Sequence, residues 1–389
     1  MTNFFDQPIY VTRPVLPNVE AVVERVRTVW ESKQLTNFGA QHDELSNQLK
    51  KYLKVDHISM FSNGTLALLL GLKALELTGE VITTPFTFPA TVQALDWNNL
   101  TPVFCDIDPI TLNIDADKIE ALITEKTTAI LAVHVFGNPC DVEKIQQIAD
   151  KHRLKVIYDG AHAFGAHING VPISSFGDMT MFSFHATKLF NTIEGGALTY
   201  RNSLLDKKLG LLKNFGIANQ EEVLLSGLNA KLNEVQAGVG LEVLKVIEEE
   251  RKKRHLVKRA YEKNLATVDG VRVLTTLENE SSSYQYLVVE IDEAIFGKSR
   301  DVVYEELQKH NVFARKYFYP LCSDFEWYKK LESAQAKNLP QAQKAVRQVL
   351  AMPYYGALTI ESVNEICAII EEIHMKEKNI FHLAEMRER

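Results

Sequence analysis

Residues 155–166 read KVIYDGAHAFGA, and residues 181–198 read MFSFHATKLFNTIEGGAL. Each stretch joins a strand-like apolar run to polar side chains: Asp159 ends the first run, and Ser183 and Lys188 follow the second. Near-continuous apolar runs are typical of strands covered on both faces by helices, as in largely parallel sheets. Ligands of such sheets bind beyond the carboxyl ends of the strands. The two stretches therefore predict an α/β fold with a binding site at one edge of its sheet.

The first 200 residues repeat this alternation of β-branched apolar runs and amphipathic segments. Asp115 and Asp141 stand where N-caps are expected. We predict strands at 57–61, 80–84, 102–106, 129–134, 155–159, 179–184 and 196–200, and helices at 65–77, 89–98, 116–123 and 142–152.

A smaller α+β region is expected after a long helix at 233–265. Its predicted elements are strands at 271–274 and 284–291 and helices at 300–310, 340–350 and 360–376. We therefore predict a large domain over residues 1–265 and a small C-terminal domain over residues 266–389.

Composition excludes several classes of protein. The 43 basic and 50 acidic residues give a formal charge of −7, which offers no general attraction for nucleic acid or an anionic membrane. The four cysteines form no C-x-x-C pair, so neither a structural zinc site nor a disulfide framework is indicated. No apolar run approaches membrane-spanning length, and the first twenty residues lack a signal-peptide pattern. A cytoplasmic protein is the expectation.

Two further strand ends carry candidate ligand groups. Residues 62–65, SNGT, open an apolar helix whose free N–H groups, with the Thr65 hydroxyl, would bind a phosphate. On its own, this string is more often a plain N-cap. Phe86 and Phe88, within TTPFTFPAT, follow the second strand, and an aromatic pair alone normally belongs to a core.

Asp159, at the end of its strand, and Lys188, 29 residues later, indicate that the SNGT turn and the aromatic pair belong to one site. Asp159 is placed to receive a cation, although capping the next turn is the ordinary alternative. For His162 the ordinary alternative is a structural histidine, and for Lys188 it is a lysine on the surface. An amine in apolar surroundings has a lowered pKa and becomes a nucleophile. A phosphate cradle, an aromatic face, a carboxylate and such a lysine are together the parts that hold pyridoxal phosphate (PLP).

At these residues the chain resembles the DegT/DnrJ/StrS sugar aminotransferases, which are PLP enzymes of the aspartate aminotransferase fold (fold type I). The similarity extends over nearly the whole chain, through LTNFGAQHDELSNQLKKYL, SNGTLAL, TPFTFPAT, VHVFGNPCD, DGAHAFGA, SFHATKLFNTIEGGAL, GLNAKLNEVQAG and MPYYGALT. Within the family, DGAHA, SFHATK and EGGAL are most similar to enzymes that make dTDP-4-amino-4,6-dideoxyglucose from dTDP-4-keto-6-deoxyglucose.

The resemblance implies a role for each matching residue. Lys188 would bind PLP as a Schiff base and later move protons, and Asp159 would pair with the pyridine nitrogen. The other cofactor-binding positions are Gly64, Thr65 and Ser183 at the phosphate, Phe88 on one ring face, His162 near the other face or the 3-hydroxyl, and Asn229 at the phosphate of the neighbouring subunit. A homodimer with shared active sites follows from the last of these.

The resemblance also implies the substrates. Glutamate would donate the amino group, with pyridoxamine phosphate carrying it to a nucleotide-linked ketosugar, for bacterial surface polysaccharide (O-antigen) or glycoside synthesis. The expected substrate-binding residues are Asn37, Phe38, His185, Arg315, Tyr317 and Tyr319. The chain departs from the family pattern at Lys231, where arginine is usual, and at Gly160 and His162, where alanine and glutamine are commoner.

Four alternatives compete with this interpretation, and the presence of Lys188 and the absence of a basic surface excess argue against the second and the fourth. A 3-aminotransferase acting on a 3-keto-6-deoxyhexose has the same motifs. A PLP-dependent dehydratase of the family would have histidine in place of Lys188. A metal-dependent glycosyltransferase would use Asp106 and Asp108 of the CDID string to hold a cation on a nucleotide diphosphate. A non-catalytic PLP-binding regulator would need a DNA-binding module or a basic surface.

Overall fold

The fold is given by a computed structural model that describes residues 5–387, so the outermost residues of the two predicted domains, 1–4 and 388–389, lie outside the described residues. The strands are Ile9–Tyr10 (β1), His57–Phe61 (β2), Glu80–Thr83 (β3), Thr101–Phe104 (β4), Thr127–Val133 (β5), Lys155–Asp159 (β6), His167–Ile168 (β7), Val171–Pro172 (β8), Met179–Ser183 (β9), Gly196–Tyr200 (β10), Val271–Val273 (β11), Glu280–Ser281 (β12), Leu287–Ile291 (β13), Val312–Phe313 (β14) and Val349–Met352 (β15).

The α-helices are Val19–Ser32 (α1), Ala40–Leu53 (α2), Gly64–Ala74 (α3), Pro89–Asp96 (α4), Ala116–Ile119 (α5), Val142–His152 (α6), Leu204–Leu212 (α7), Glu234–Leu265 (α8), Glu293–Phe296 (α9), Arg300–Lys309 (α10), Pro340–Gln348 (α11) and Ile360–Arg387 (α12). Short 3₁₀ helices lie at Glu120–Leu122, Val135–Gly137, Ile173–Ser175, Cys322–Asp324, Glu332–Ala334 and Ala336–Asn338. Among the described residues, no helix combines the length and the apolar character that crossing a lipid bilayer requires.

A seven-stranded sheet in the order β2-β10-β9-β6-β5-β3-β4 forms the centre of the molecule. The strand β10 runs antiparallel to both of its neighbours, and the remaining pairs are parallel. The predicted α/β class with a mostly parallel mixed sheet is therefore confirmed. Because β10 is reversed, its first residue, Gly196, pairs with both Phe61 and Ser183 at the carboxyl ends of β2 and β9.

Both faces of this sheet are buried, which explains its apolar strands. In β6, Val156 and Tyr158 belong to one hydrophobic cluster, whereas Ile157 between them belongs to the cluster on the other face. Side chains alternate across a strand, so a strand covered on both sides has apolar residues at every position.

The predicted N-caps are confirmed at two helices. The Asp115 carboxylate accepts a hydrogen bond from the amide of Asp117 at 3.0 Å, and the Asp141 carboxylate accepts one from Lys144 at 3.0 Å. These bonds satisfy amides that the first helical turn leaves free.

A second, antiparallel sheet in the order β11-β13-β15 packs on α8, α10 and α12 and has a hydrophobic cluster of its own. Phe5 and Ile9 from the N-terminal segment belong to this cluster, and β1 pairs with β14 in parallel. The division of the chain at residue 265 stays a prediction, and the first residues contact its C-terminal part.

The sequence analysis predicted no helix at α1, α2 or α7, and it ended α12 at residue 376 instead of 387. It was also wrong in the type or bounds of other elements. The helix predicted at 340–350 ends at Gln348, and residues 349–352 form β15, because a short apolar run gives no period that separates strand from helix. The strand predicted at 284–291 begins only at Leu287. The helix predicted at 116–123 is one α-helical turn followed by a 3₁₀ turn.

Candidate active site

Asp159 lies at the carboxyl end of β6, in the middle of the central sheet, and is 5% exposed. Its Oδ2 accepts a hydrogen bond from Thr91 Oγ1 at 2.7 Å, and its Oδ1 accepts one from the amide of Ala161 at 3.0 Å. Burial raises the pKa of this carboxyl, while the two hydrogen bonds and the positive charge of Lys188 act in the opposite direction. The site thus contains a desolvated carboxylate that a cation would stabilise in its ionised form.

Lys188 follows β9 and keeps part of its surface accessible, while its amino group is largely removed from water. This desolvation lowers the pKa of Lys188 to about 8, although the charge of Asp159 opposes the shift. The amine lies 5.9 Å from the centroid of the Tyr286 ring. About a tenth of this amine is therefore uncharged at pH 7 and available as a nucleophile.

His162, in the turn after β6, is the third residue of the group that contains Asp159 and Lys188. It is 8% exposed, and its Nδ1 has no hydrogen-bond partner. Its ring stacks on Phe318 at 5.9 Å and meets the edge of Tyr286 at 4.8 Å. Burial, followed by the charge of Lys188, lowers the pKa of His162 well below its usual range, so the ring is neutral. An unpartnered buried nitrogen of this kind is the position where a polar ligand atom is expected.

The predicted phosphate turn lies at the start of α3. Asn63 caps the helix by accepting a hydrogen bond from Leu66 at 2.8 Å, and Thr65 is exposed. A Cβ on Gly64 would lie 3.0 Å from the Cβ of Ser183, so glycine allows this turn to approach the end of β9. Gly64 and Ser183 are thus brought together, with Thr65 beside them at the mouth of the turn.

Phe88 is the N-cap residue of α4 and is 55% exposed, whereas Phe86 is fully buried. The core reading therefore holds for Phe86 and not for Phe88. An aromatic ring left exposed on the helix that also supplies Thr91 to Asp159 is available to stack on a flat ligand.

Asn229 and Lys231 are joined in a loop that meets the phosphate turn, where the carbonyl of Ala230 accepts a hydrogen bond from the amide of Ser62 at 2.8 Å. The Lys231 amine donates hydrogen bonds to the side-chain oxygens of Asn229 at 2.9 Å and Asn214 at 2.7 Å. Asn229 is exposed. With its oxygen bonded to Lys231, the amide of Asn229 presents N–H donors to whatever approaches it.

The expected substrate residues lie in three segments. Asn37 and Phe38 form an exposed turn before α2, with φ angles of 64° and 63°. His185 is exposed and shares a 2.8 Å hydrogen bond with the Thr187 hydroxyl. Among these three residues, Phe38 makes ring contacts, with His42 and with the amine of Lys213.

The third segment, residues 315–319, reaches the group of Lys188 and His162 through Tyr286, which the sequence analysis missed. Tyr317 meets the edge of Tyr286 at 5.5 Å, and its hydroxyl accepts a hydrogen bond from the exposed Arg315 at 3.3 Å. Tyr319 is 65% exposed. Because Tyr286 also contacts His162 and lies near Lys188, it connects the Arg315 segment to the buried centre.

Two other important residues were missed as well. Thr91 binds Asp159, and Gln285 binds the backbone on both sides of Lys188: it accepts from the amide of Leu189 at 2.6 Å and donates to the carbonyl of Thr187 at 3.0 Å. Gln285 lies 98 and 96 residues from these partners, so no local pattern could reveal it. The hydroxyl of Thr91, one helical turn after Phe88, was a detectable signal.

These residues fit pyridoxal phosphate on several independent grounds. The charges of Lys188 and Asp159 act on each other, and the charge of Lys188 also acts on His162, whose Nδ1 has no hydrogen-bond partner. The turn at Gly64 would be filled by any Cβ, and it offers helix N–H groups beside the Ser183 side chain. Such an arrangement suits a flat cation-bearing ring with an anionic arm.

The model of the DegT/DnrJ/EryC1/StrS aminotransferase family matches residues 18–371. The chain belongs to this family. Its membership confirms the predicted enzyme class, a sugar aminotransferase, and agrees with the fold. A relative in Escherichia coli, dTDP-4-amino-4,6-dideoxy-D-glucose transaminase, is 43% identical over 368 residues, which cover 94% of this chain and 98% of that protein.

Solved structures of related sugar aminotransferases have the same fold as this chain. The crystal structure of DesI in the presence of its TDP-sugar product has a TM-score of 0.93 at 35% identity and covers 99% of this chain and 97% of that chain. The sugar aminotransferase Spr1654 from Streptococcus pneumoniae, in its PLP form, has a TM-score of 0.87 at 25% identity and covers 96% of this chain and 99% of that chain.

The glycosyltransferase alternative loses its support at the two aspartates. Asp106 is 2% exposed and accepts hydrogen bonds from the amides of Gln341 and Ala342 at the start of α11, and from Lys118. Asp108 accepts from the amides of residues 110 and 111 within its own turn. Both carboxylates serve as caps, and family membership gives the enzyme a different reaction class.

Proposed function

We propose that this enzyme uses pyridoxal phosphate to transfer the amino group of glutamate to dTDP-4-keto-6-deoxyglucose, giving dTDP-4-amino-4,6-dideoxyglucose. The observation that carries the proposal is that Lys188 and His162 both lie against Tyr286, at 5.9 Å and 4.8 Å, and that the charges of Lys188 and the buried Asp159 act on each other. The choice of sugar nucleotide is supported by the full-length similarity to the E. coli transaminase and by the likeness to DesI with its TDP-sugar product.

The cofactor supplies an electron sink and a carbonyl carbon when it is bound. Lys188 would attach it, with Gly64, Thr65 and Ser183 at the phosphate and Phe88 on the ring. Asp159, already oriented by Thr91 and Ala161, would hold the proton on the ring nitrogen through a charge-assisted hydrogen bond. His162 Nδ1, which lacks a protein partner, would bind a polar atom of the ring.

The lysine amine would then act as the acid and base of the reaction. With a pKa of about 8, Lys188 Nζ can accept a proton from the reacting carbon of glutamate and return one during transfer to the ketosugar. Buried aromatic side chains such as Phe318 shield this centre from water. One amine thus serves both halves of the transamination.

A homodimer with shared sites is part of the proposal. Asn229 is exposed and follows a loop with exposed apolar side chains, including Phe215 (50%), Val223 (68%) and Leu224 (56%). An apolar surface of this kind beside a free amide suits contact with a second copy, whose cofactor phosphate Asn229 would bind.

The chain's four free, buried cysteines suit a reducing cytoplasm, and the product suits O-antigen or glycoside synthesis.

The proposal is tested by incubating the enzyme with PLP, glutamate and dTDP-4-keto-6-deoxyglucose and locating the new amine by NMR. An amine at C4 of the hexose is expected. Reaction at C3 of a 3-keto-6-deoxyhexose, with no reaction of the 4-keto sugar, would establish the alternative regiochemistry. Turnover with UDP- or GDP-linked sugars but not with the dTDP sugar would contradict the nucleotide assignment.

A further inference from the structure

Lys213, just after α7, is a lysine buried to 5% exposure. In the part of the chain that the structure describes, its amino group has no carboxylate partner. The Nζ atom instead donates hydrogen bonds to Ser59 Oγ at 2.9 Å and to the carbonyl of Met60 at 3.0 Å. Burying a cation among neutral groups is costly, and an apolar side chain would fill the same space at lower cost. The lysine therefore has a purpose other than packing.

The remaining contacts of this amine point to that purpose. It lies 5.1 Å from the centroid of Phe38 and 5.3 Å from the centroid of Phe61. A cation is attracted to the face of an aromatic ring, more strongly where water is excluded. Phe61 is a fully buried residue of β2, whereas Phe38 remains 37% exposed. Lys213 thus ties a partly exposed ring of the substrate segment to a strand of the central sheet.

The backbone at Phe38 needs such support. Asn37 and Phe38 both have φ near +60°, a region that residues other than glycine rarely adopt. On the C-terminal side, the buried carboxylate of Glu234 accepts hydrogen bonds from the amides of Gly39 at 2.9 Å and Gln41 at 2.8 Å. Glu234 therefore fixes the backbone after the turn, and Lys213 fixes the ring within it.

We propose that Lys213 is a positioning residue that holds Phe38 in place to receive the nucleotide-sugar substrate. The inference rests on the proposed function, because it assigns Phe38 to the substrate pocket of that reaction. Ser59 and Met60 belong to the strand that leads into the phosphate turn at 62–65. Lys213 accordingly fixes the substrate segment relative to the cofactor end of the same strand.

The test separates the two halves of the reaction in three single variants. Lys213→Met removes the cation and keeps a long side chain, Lys213→Arg retains a cation, and Lys207→Met changes an exposed lysine of α7 as a control. The glutamate half-reaction is followed by the absorbance of the PLP-loaded enzyme. KM and kcat are then measured with dTDP-4-keto-6-deoxyglucose, and thermal unfolding reports whether each variant is folded.

Lys213→Met is expected to raise the KM for the ketosugar roughly tenfold, a factor typical of a lost desolvated cation–ring contact. The rate of its glutamate half-reaction should change less than twofold. Lys213→Arg should raise the KM less than Lys213→Met does, and Lys207→Met should have the wild-type KM. In a Phe38→Ala background, Lys213→Met should have no further effect, because the ring on which it acts is gone.

Three results would overturn the inference: an unchanged KM in Lys213→Met, equal losses in both half-reactions, or additive effects of Lys213→Met and Phe38→Ala. If Lys213→Met does not fold, an unchanged KM in Phe38→Ala would overturn it as well. Failure of the proposed function is a separate result, since the wild-type enzyme would then form no amino sugar from the dTDP substrate.

Discussion

At the residue scale, the proposed chemistry depends on how burial changes the charge of Asp159 and Lys188. Desolvation raises the pKa of the carboxyl and lowers that of the amine, so each group is poised to change its protonation when a charged ligand enters. The Thr91 hydrogen bond at 2.7 Å orients the carboxylate before the ligand arrives. Preorganisation of this kind is a major source of catalytic rate.

Asp159→Asn is expected to keep the fold and lower kcat about 10²- to 10³-fold, the scale of one lost preorganised electrostatic contact. Thr91→Val should lower kcat about tenfold, because it removes one hydrogen bond to a charged group. Thr87→Val is the matched control, because it removes a hydroxyl that contacts Thr91 at 2.8 Å but does not itself bind Asp159. Single-turnover rates with glutamate measure all three. Equal rates for wild type and Asp159→Asn would contradict the assigned role.

The pH dependence of Lys188 gives a second prediction. Because burial lowers its pKa to about 8, about a tenth of the amine is uncharged at pH 7, far more than for a free lysine. Labelling of Lys188 by acetic anhydride in PLP-free protein should therefore rise about tenfold from pH 6 to 7 and level off above pH 8 to 9. Mass spectrometry of the labelled peptide, with a model lysine peptide as reference, measures this. A rise that continues to pH 10 or beyond would contradict it.

At the scale of the elements, the backbone around Lys188 is held by a segment that is distant in sequence. Gln285, just before β13, bonds to the backbone on either side of Lys188 and is 2% exposed. The loop after β9 is thereby fixed relative to the C-terminal sheet. Small displacements of a reacting group are costly in rate, so in the proposed reaction Gln285 would be a positioning residue that does not touch the reacting atoms.

Gln285→Leu is expected to lower kcat roughly tenfold or more and to reduce stability by about 1–3 kcal/mol, because two buried backbone groups lose their partners. Gln285→Glu retains the acceptor for Leu189 and loses the donor to Thr187, so its effect on kcat should be smaller. Steady-state kinetics and urea unfolding test both variants. A loss of stability with unchanged kcat would show that the clamp is structural only.

The elements also show what sequence could and could not predict. The strands 57–61, 155–159 and 196–200 have the predicted bounds, because their apolar runs end abruptly at polar or glycine residues. The strand β15 was missed because four apolar residues after a helix carry no period of their own. Tyr286 and Gln285 were missed because their roles arise from contacts between segments distant in sequence.

At the scale of the whole molecule, one edge of the central sheet collects the site. The reversal of β10 brings Gly196 against the ends of β2 and β9, and a Cβ there would lie 2.6 Å from the amide of Gly64. Glycine at both positions lets the phosphate turn lie close to the strand ends.

Shared sites predict complementation between two defective chains. Lys188→Ala lacks the amine, and Asn229→Ala lacks the proposed phosphate contact to the partner. Coexpressed, they should form mixed dimers with one intact site, giving about a quarter of wild-type activity when subunits assemble at random. Activity at limiting PLP, compared with each variant alone, measures this. Mixtures no more active than the sum of the separate variants would contradict a shared site.

The central claim, that Lys188 is the residue that binds the cofactor, is tested most directly by borohydride reduction of the PLP-loaded enzyme followed by peptide mass spectrometry. Lys213 is the natural competitor, because burial lowers its pKa to about 8 as well. The account predicts that one phosphopyridoxyl group is attached to each chain, on the peptide that contains Lys188. Attachment to Lys213 or to any other lysine, with Lys188 unmodified, would contradict it.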